Sequence, residues 1–347
     1  MKKLHVAIAL IGVLTGTTAS AQLTVTISGV LGIGIGVASG DEQGASNYPA
    51  GRQLKIAPDS KVPTRLAFRG VEDLGDGMSA LFILDKGFSL DDGAETLGGA
   101  FRESYVGLHS VVGTVTVGRQ FHPLFNVRDD YDPTADSSNL MATAGFRMNN
   151  SIMYRTPVAS GFFAKIAYGL GEAASNSAAN RAFGGYIAYE KGPISAKLGH
   201  NHLNDELGEQ SAKNTLLAGT YNFGVAAVYL GYGVNKGAIV NRTYMPADNT
   251  DMLLGVKIPF GANTLAATYI RKNDKTAADA DASQLQLYYG YSLSKRTTLY
   301  SIFTRINNSA NAMYTTAHAS PVPTAAQFAL GARPANREFS SGIRHSF

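Results

Sequence analysis

LTVTISGVLGIGIGVA, residues 23–38, repeats two chemistries with a period of two. Val25, Ile27, Leu31, Ile33, Ile35 and Val37 share one face. Thr24, Thr26, Ser28, Gly32, Gly34 and Gly36 share the other. Successive side chains of a strand point to opposite faces, so this segment reads as a β-strand with one apolar side. The run Gly32-x-Gly34-x-Gly36 lacks the spacing of a dinucleotide-binding turn, and no helical pattern follows it.

The same period continues along the chain. Candidate strands are 23–38, 61–72, 78–88, 100–110, 113–119, 147–156, 161–170, 181–191, 193–202, 213–223, 225–235, 249–259, 263–272, 283–293, 297–307 and 337–347. They make about sixteen, and several are near the ten residues that a tilted strand needs to cross a bilayer. The connections alternate in length. Short ones fall at 73–77, 111–112, 157–160, around Gly192, around Gly224, 260–262 and 294–296. Long ones fall at 39–60, 89–99, 120–146, 171–180, 203–212, 236–248, 273–282 and 308–336. Short turns at one end and long polar loops at the other predict an all-β fold: a 16-stranded antiparallel transmembrane β-barrel. A soluble β-sandwich would not require that alternation.

The N-terminus supports export. Lys2 and Lys3 precede an apolar run, Val6 to Leu14, and small residues end at Ala19-Ser20-Ala21. This is the order of a secretory signal peptide, residues 1–21, leaving a barrel of residues 22–347. The apolar run is shorter than the roughly 20 residues a membrane-spanning helix needs. Without the two lysines the chain carries 28 basic and 26 acidic residues, a balance that excludes a nucleic-acid partner as the leading reading. There is no cysteine. An exported chain can do without disulfides when a closed sheet leaves no edge. No cofactor is indicated. His200-x-His202 has metal-like spacing on one strand face, but a third ligand is not evident, so no metal is expected. No catalytic constellation stands out.

Four stretches carry a family resemblance: residues 65–77 (RLAFRGVEDLGDG), 105–108 (YVGL), 118–121 (GRQF) and the ending 342–347 (GIRHSF). In order and in coverage of the mature chain they resemble the general trimeric porins of Gram-negative bacteria, especially the β-proteobacterial type. The resemblance implies passive diffusion of ions and small hydrophilic solutes through an outer-membrane homotrimer, not an enzyme. It implies that a long loop after Gly118-Arg119-Gln120 folds into the pore, carrying Asp129, Asp130, Asp132 and Asp136. It places Arg65, Arg102 and Arg147 on the facing wall. Parity agrees for Arg65, which alternates with Leu66 and Phe68.

The resemblance also implies insertion by the barrel-assembly machinery through the last strand, where Phe339, Ser341, Ile343, His345 and Phe347 share a face. The surroundings are outer-membrane lipid and lipopolysaccharide. Val115 and Val117 make Arg119 outward by parity, and Glu103 is read on the face of Phe101 and Tyr105, so both are expected at the subunit interface. The family's first strand often has an inward tyrosine and aspartate where this chain has Ser28 and Gly32. The pore wall there should be less negative and less crowded. Together these features predict a mild anion preference. The alternatives are a substrate-specific channel or an outer-membrane barrel enzyme.

Overall fold

The computed structural model describes residues 23–40, 53–59, 61–134, 140–141, 147–240, 242–316 and 335–347. The elements are strands β1 (Leu23–Ser39), β2 (Gln53–Pro58), β3 (Arg65–Gly75), β4 (Met78–Gly87), β5 (Glu103–Ser110) and β6 (Gly113–Phe121), then helix α1 (Pro123–Asp130). Strands β7 (Arg147–Arg155), β8 (Phe162–Gly169), β9 (Ala182–Lys191), β10 (Ile194–Asn204), β11 (Ser211–Asn222) and β12 (Ala227–Val240) follow. The chain continues through β13 (Thr243–Phe260), β14 (Asn263–Asp274), β15 (Ala282–Ser292), β16 (Thr297–Asn308) and β17 (Arg337–Ser346). Each pairs antiparallel with its neighbours, and β1 pairs with β17, so the sheet closes. Closure removes the free edges that would otherwise template aggregation.

Seventeen segments make a 16-stranded wall because β2 and β3 are one barrel strand, interrupted. Val30 pairs with Arg65 on the β3 side. An unbroken ladder would set Ile33 against residue 62; it meets Pro58 instead, four residues on. An even excursion leaves the alternation intact. Ala57 is buried within the barrel while Leu54 and Ile56 are exposed outside, and Ala67 and Phe68 divide in the same sense. The reading of 39–60 as a connection therefore missed β2. The reading of 236–248 as a long loop also fails. There β12 and β13 continue as a ladder to Val240–Thr243, with an irregularity at Lys236/Ala238. Gly237 takes the positive φ, 69°, that this irregularity needs.

The sequence pattern sorts by face as a membrane barrel requires. On β15, Gln284, Gln286 and Tyr288 are buried inside, whereas Leu285, Leu287, Tyr289 and Tyr291 are exposed outside. None of the described helices is long and apolar enough to cross a membrane; the strands present the apolar surface. Part of the interior is dry. Leu124 and Val127 of α1, with Tyr131, Leu140 and Met141, pack on Phe163, Tyr186, Leu216, Leu253 and Ile270 from β8, β9, β11, β13 and β14. The segment after β6 thus lies inside the barrel against the far wall, where burying those side chains stabilises its docking by roughly 1.5–3 kcal/mol each.

At the seam, bare backbone meets bare backbone. Gly34 of β1 faces Gly342 of β17. A Cβ on Gly34 would stand 2.3 Å from Ser341 O and 2.8 Å from Gly342 Cα.

Candidate functional site

The three predicted arginines come together on β3, β7 and the approach to β5. Arg65 Nε and Arg102 Nε each stand 3.6 Å from a different oxygen of Asp85, on β4. That spacing is ionic attraction rather than hydrogen bonding. Arg147 Nε donates to the Arg102 carbonyl at 2.9 Å. The guanidinium of Arg147 lies 4.6 Å from the centre of the Phe121 ring and that of Arg102 lies 5.5 Å from it. Phe121 in turn stacks on Phe125 of α1 at 4.7 Å. Arg69 continues the same inner face and donates to Ser28 Oγ.

The facing segment begins with a capped helix. His122 Nδ1 accepts from Leu124 N at 3.2 Å, and Pro123 takes the first helical position, where its missing N–H costs nothing. The loop acids then diverge. Asp129 and Asp130 are exposed. Asp130 pairs with Lys197 of β10, which also holds Glu190 at 3.0 Å. Asp132 is buried: its Oδ1 accepts from Thr134 N at 3.0 Å, Thr134 Oγ1 at 2.7 Å and Thr268 Oγ1 at 2.9 Å. It is turned into the wall and fixes the loop. Asp136 lies outside the described residues.

A closed antiparallel barrel, apolar outside, with a basic inner wall and an inserted loop, is a channel architecture. Residues 7–311 match the family described as Gram-negative porin. The chain belongs to that family.

Two relatives agree over nearly all of this porin. Outer membrane porin protein 32 of Delftia acidovorans is 31% identical over 86% of the chain and 88% of its own length. An outer membrane porin protein of Bordetella pertussis is 28% identical over 86% of the chain and 93% of its own length. Among solved structures, the anion-selective porin from Comamonas acidovorans superposes with a TM-score of 0.78 at 27% identity, over 94% of this chain and 100% of that one. The protein is thus an outer-membrane, multi-pass β-barrel that passes solutes.

The two expected interface residues separate. Arg119 follows the exposed Val115 and Val117 at the same parity, and it pairs with Ser104 on the β5 side, so it faces out. It donates to the Phe101 carbonyl at 2.7 Å and to Asn149. Glu103 does not face out. It sits opposite the buried Asp85, and Tyr105 sits opposite Ile83, while Val106 and Leu108 are the exposed residues of β5. Tyr105 is an inward aromatic, and reading it as a lipid-facing one reversed the strand. His200 and His202 do share the outer face, bonding Thr215 Oγ1 and Asn204 Oδ1. Among the described residues no cluster of three metal-ligating side chains occurs.

The expected gap at Gly32 is filled from elsewhere. A Cβ on Gly32 would stand 2.5 Å from Asp59 Cβ. Asp59 comes from the interruption of barrel strand two and pairs with Arg344 of β17. The wall at strand one is therefore crowded, and an acid is present there, already neutralised. Asp85, Asp59, Lys197 and Phe121 were not singled out in the sequence. Asp85 carried a usable signal, since an acid on an amphipathic strand beside an inward arginine strand needs a partner.

His122 gives the docked loop a pH dependence. Burial pushes its imidazole down from 6.5 to about 3, with Lys165 and His200 adding to the shift. The undocked loop binds a proton below pH 6.5 that the docked loop refuses until about 3. Docking is most stable above 6.5 and weakens steadily as pH falls toward 3. Single-channel recordings from pH 7 to pH 4 should show growing open-channel noise. His122→Asn keeps a capping oxygen and should remove that growth; noise that persists unchanged in the variant would refute the assignment.

Proposed function

We propose that this porin is a general diffusion channel with a mild anion preference, constricted between Arg65, Arg102 and Arg147 on one wall and the loop acids, Asp129, Asp130 and Asp136, on the other. The observation that carries the reading is the convergence of the three arginines beside Asp85 and Phe121, opposite a loop whose acids are partly used up. Asp130 is paired with Lys197 and Asp132 is bound to the wall. The arginines outweigh what remains. A basic wall in a narrow, low-dielectric pore favours anions, and opposed charges orient water and dipolar solutes. The name of the Comamonas relative points the same way. Passive transfer of this kind needs no catalytic group and no cofactor.

The mature chain in this reading is residues 22–347, released from a signal peptide at residues 1–21 and inserted by the assembly machinery through β17 and Phe347. It forms a homotrimer among lipid and lipopolysaccharide, with Arg119 at the subunit contact. A charge on the outer face is easier to accommodate against protein than hydrocarbon, where it costs about 2–4 kcal/mol at mid-depth.

Single-channel recording in a planar bilayer under a salt gradient tests the channel. The reversal potential should indicate anions, and the preference should weaken as salt rises, because exposed charges are screened over about 10 Å at 0.1 M. Arg102→Ser and Arg147→Ser should each shift the reversal potential toward cations and enlarge the conductance. If neither moves it, those arginines do not line the constriction.

A further inference from the structure

The interruption of barrel strand two does more than supply Asp59. Asp59 and residues 61–64 leave the wall and are stapled at both ends. Asp59 Oδ1 accepts from Lys61 N at 2.9 Å and Val62 N at 3.4 Å, while its other oxygen holds Arg344. Thr64 Oγ1 bridges the backbone of Gly32, accepting from its N–H at 3.1 Å and donating to its carbonyl at 3.2 Å. Between those staples Lys61 projects across β17 and β16 to β15. Its Nζ stands 4.4 Å from the centre of the Tyr288 ring and donates to the carbonyl of Pro133 at 2.7 Å.

Pro133 belongs to the constriction loop, three residues past the end of α1. Its neighbours are tied to the barrel wall: Thr134 Oγ1 stands 2.6 Å from the Gln286 side-chain amide, and Asp132 takes Thr268. The Pro133 ring lies against Gly255 of β13, where a Cβ would stand 2.7 Å from its Cγ. The charges around the Lys61 ammonium are Asp132 from the loop, Asp59 from its own segment, Arg344 from β17 and Lys257 from β13. Asp132 is the strongest of these and belongs to the loop, so its attraction and the directed bond to the Pro133 carbonyl both hold the ammonium to the same segment.

We propose that Lys61 is a positioning residue for the constriction: it latches the segment of the inserted loop just past α1 to the excursion of barrel strand two, so that two inner elements together set the pore width. The proposal rests on the reading of the chain as a channel narrowed by that loop. The loop covers the inner wall from β8 to β15, and the excursion covers it from β1 back to β15. They meet at Lys61 and Pro133, and among the described residues the inner surface they leave uncovered is the arginine wall of β3 to β7. A charge-assisted bond at that junction is stronger than a neutral one.

The test is single-channel recording of the full-length protein. Lys61→Met should raise the conductance and increase open-channel current noise several-fold, because the loop segment at Pro133 is released. Lys61→Arg, which keeps a charged donor, should stay near the parent. The chain has no cysteine, so a double variant, Lys61→Cys with Pro133→Cys, can be bridged by a short bis-methanethiosulfonate, which forms a disulfide at each thiol and releases methanesulfinate. Bridging should restore the quiet parental level, and reductant should release it; Pro133→Cys alone should not respond. Equal conductance and noise in Lys61→Met and parent would overturn the latch. So would a shift in reversal potential with no change in noise, which would make Lys61 a charge in the pore and nothing more. A parent that forms no channels would instead refute the diffusion reading.

Discussion

Replacing Asp85 with asparagine is expected to strengthen the anion preference and weaken the barrel. The side chain of Asp85 is 4% exposed and stands 3.6 Å from both Arg65 and Arg102. Arg69 and Arg147 also lie in its field. Removing one partner of a buried pair leaves the other charges uncompensated, at a cost of about 3–5 kcal/mol. The arginines retain some contact with pore water, with side-chain exposures of 26% and 12%, so the lower end of that range applies. The released positive charge faces the permeation path. The reversal potential in a salt gradient should move further toward anions, opposite in sign to Arg102→Ser. The denaturant midpoint of the detergent-solubilised barrel should fall. A normal midpoint with an unchanged reversal potential would show that Asp85 neither anchors the arginines nor contributes to the pore field.

The second large effect belongs to the seam. Gly34→Ala should prevent stable closure between β1 and β17. The added carbon would stand 2.3 Å from Ser341 O, and its other neighbours there are also backbone, of Ser341 and Gly342. A flexible side chain could swing away; a ladder backbone cannot without parting the strands. Overpacking of this kind costs about 3 kcal/mol at the upper end of its usual range, and here it falls on the contact that makes the sheet a barrel. The variant should lose the heat-resistant folded band seen on gels of unheated barrel proteins. Gly36→Ala is the control. Its Cβ would stand 3.0 Å from Ala57 Cβ and 3.6 Å from Ser340 Cβ, and it should be tolerated far better. Equal behaviour of the two would discount the seam.

Strand positions were legible because the membrane imposes its pattern twice, as a period of two and as alternating connection lengths. Both survive in β15 and β16 without a break. What the pattern could not carry was any element whose partner is remote. β2 is six residues long and is defined by its register with β1, which periodicity does not report. The β12–β13 extension bears polar residues such as Lys236 and Asp248, which read as loop but pair with one another across the ladder. Glu103 was read on the wrong face because Tyr105 looked lipid-facing; cross-strand register with Asp85 decides it. In the site, the arginines were legible through motif position. Their counter-ion was not named, because an ion pair joins strands that the sequence lists separately. The acid of the first strand was expected to be missing, while its charge arrives from Asp59 on another strand.

The four-residue excursion in barrel strand two has a consequence for how this chain can change length over generations. Lys55, Ala57 and Asp59 lie on the inner face together with Arg65, Ala67 and Arg69, all at odd positions. Losing or gaining two residues between Asp59 and Arg65 would keep that assignment. Losing one would either expel Arg65 and Arg69 into lipid or turn Leu54 and Ile56 into the pore. Insertions and deletions at this place should therefore be inherited in pairs. An odd change would persist only with a second odd change that restores the parity, and the excursion is where such compensation costs the ladder least.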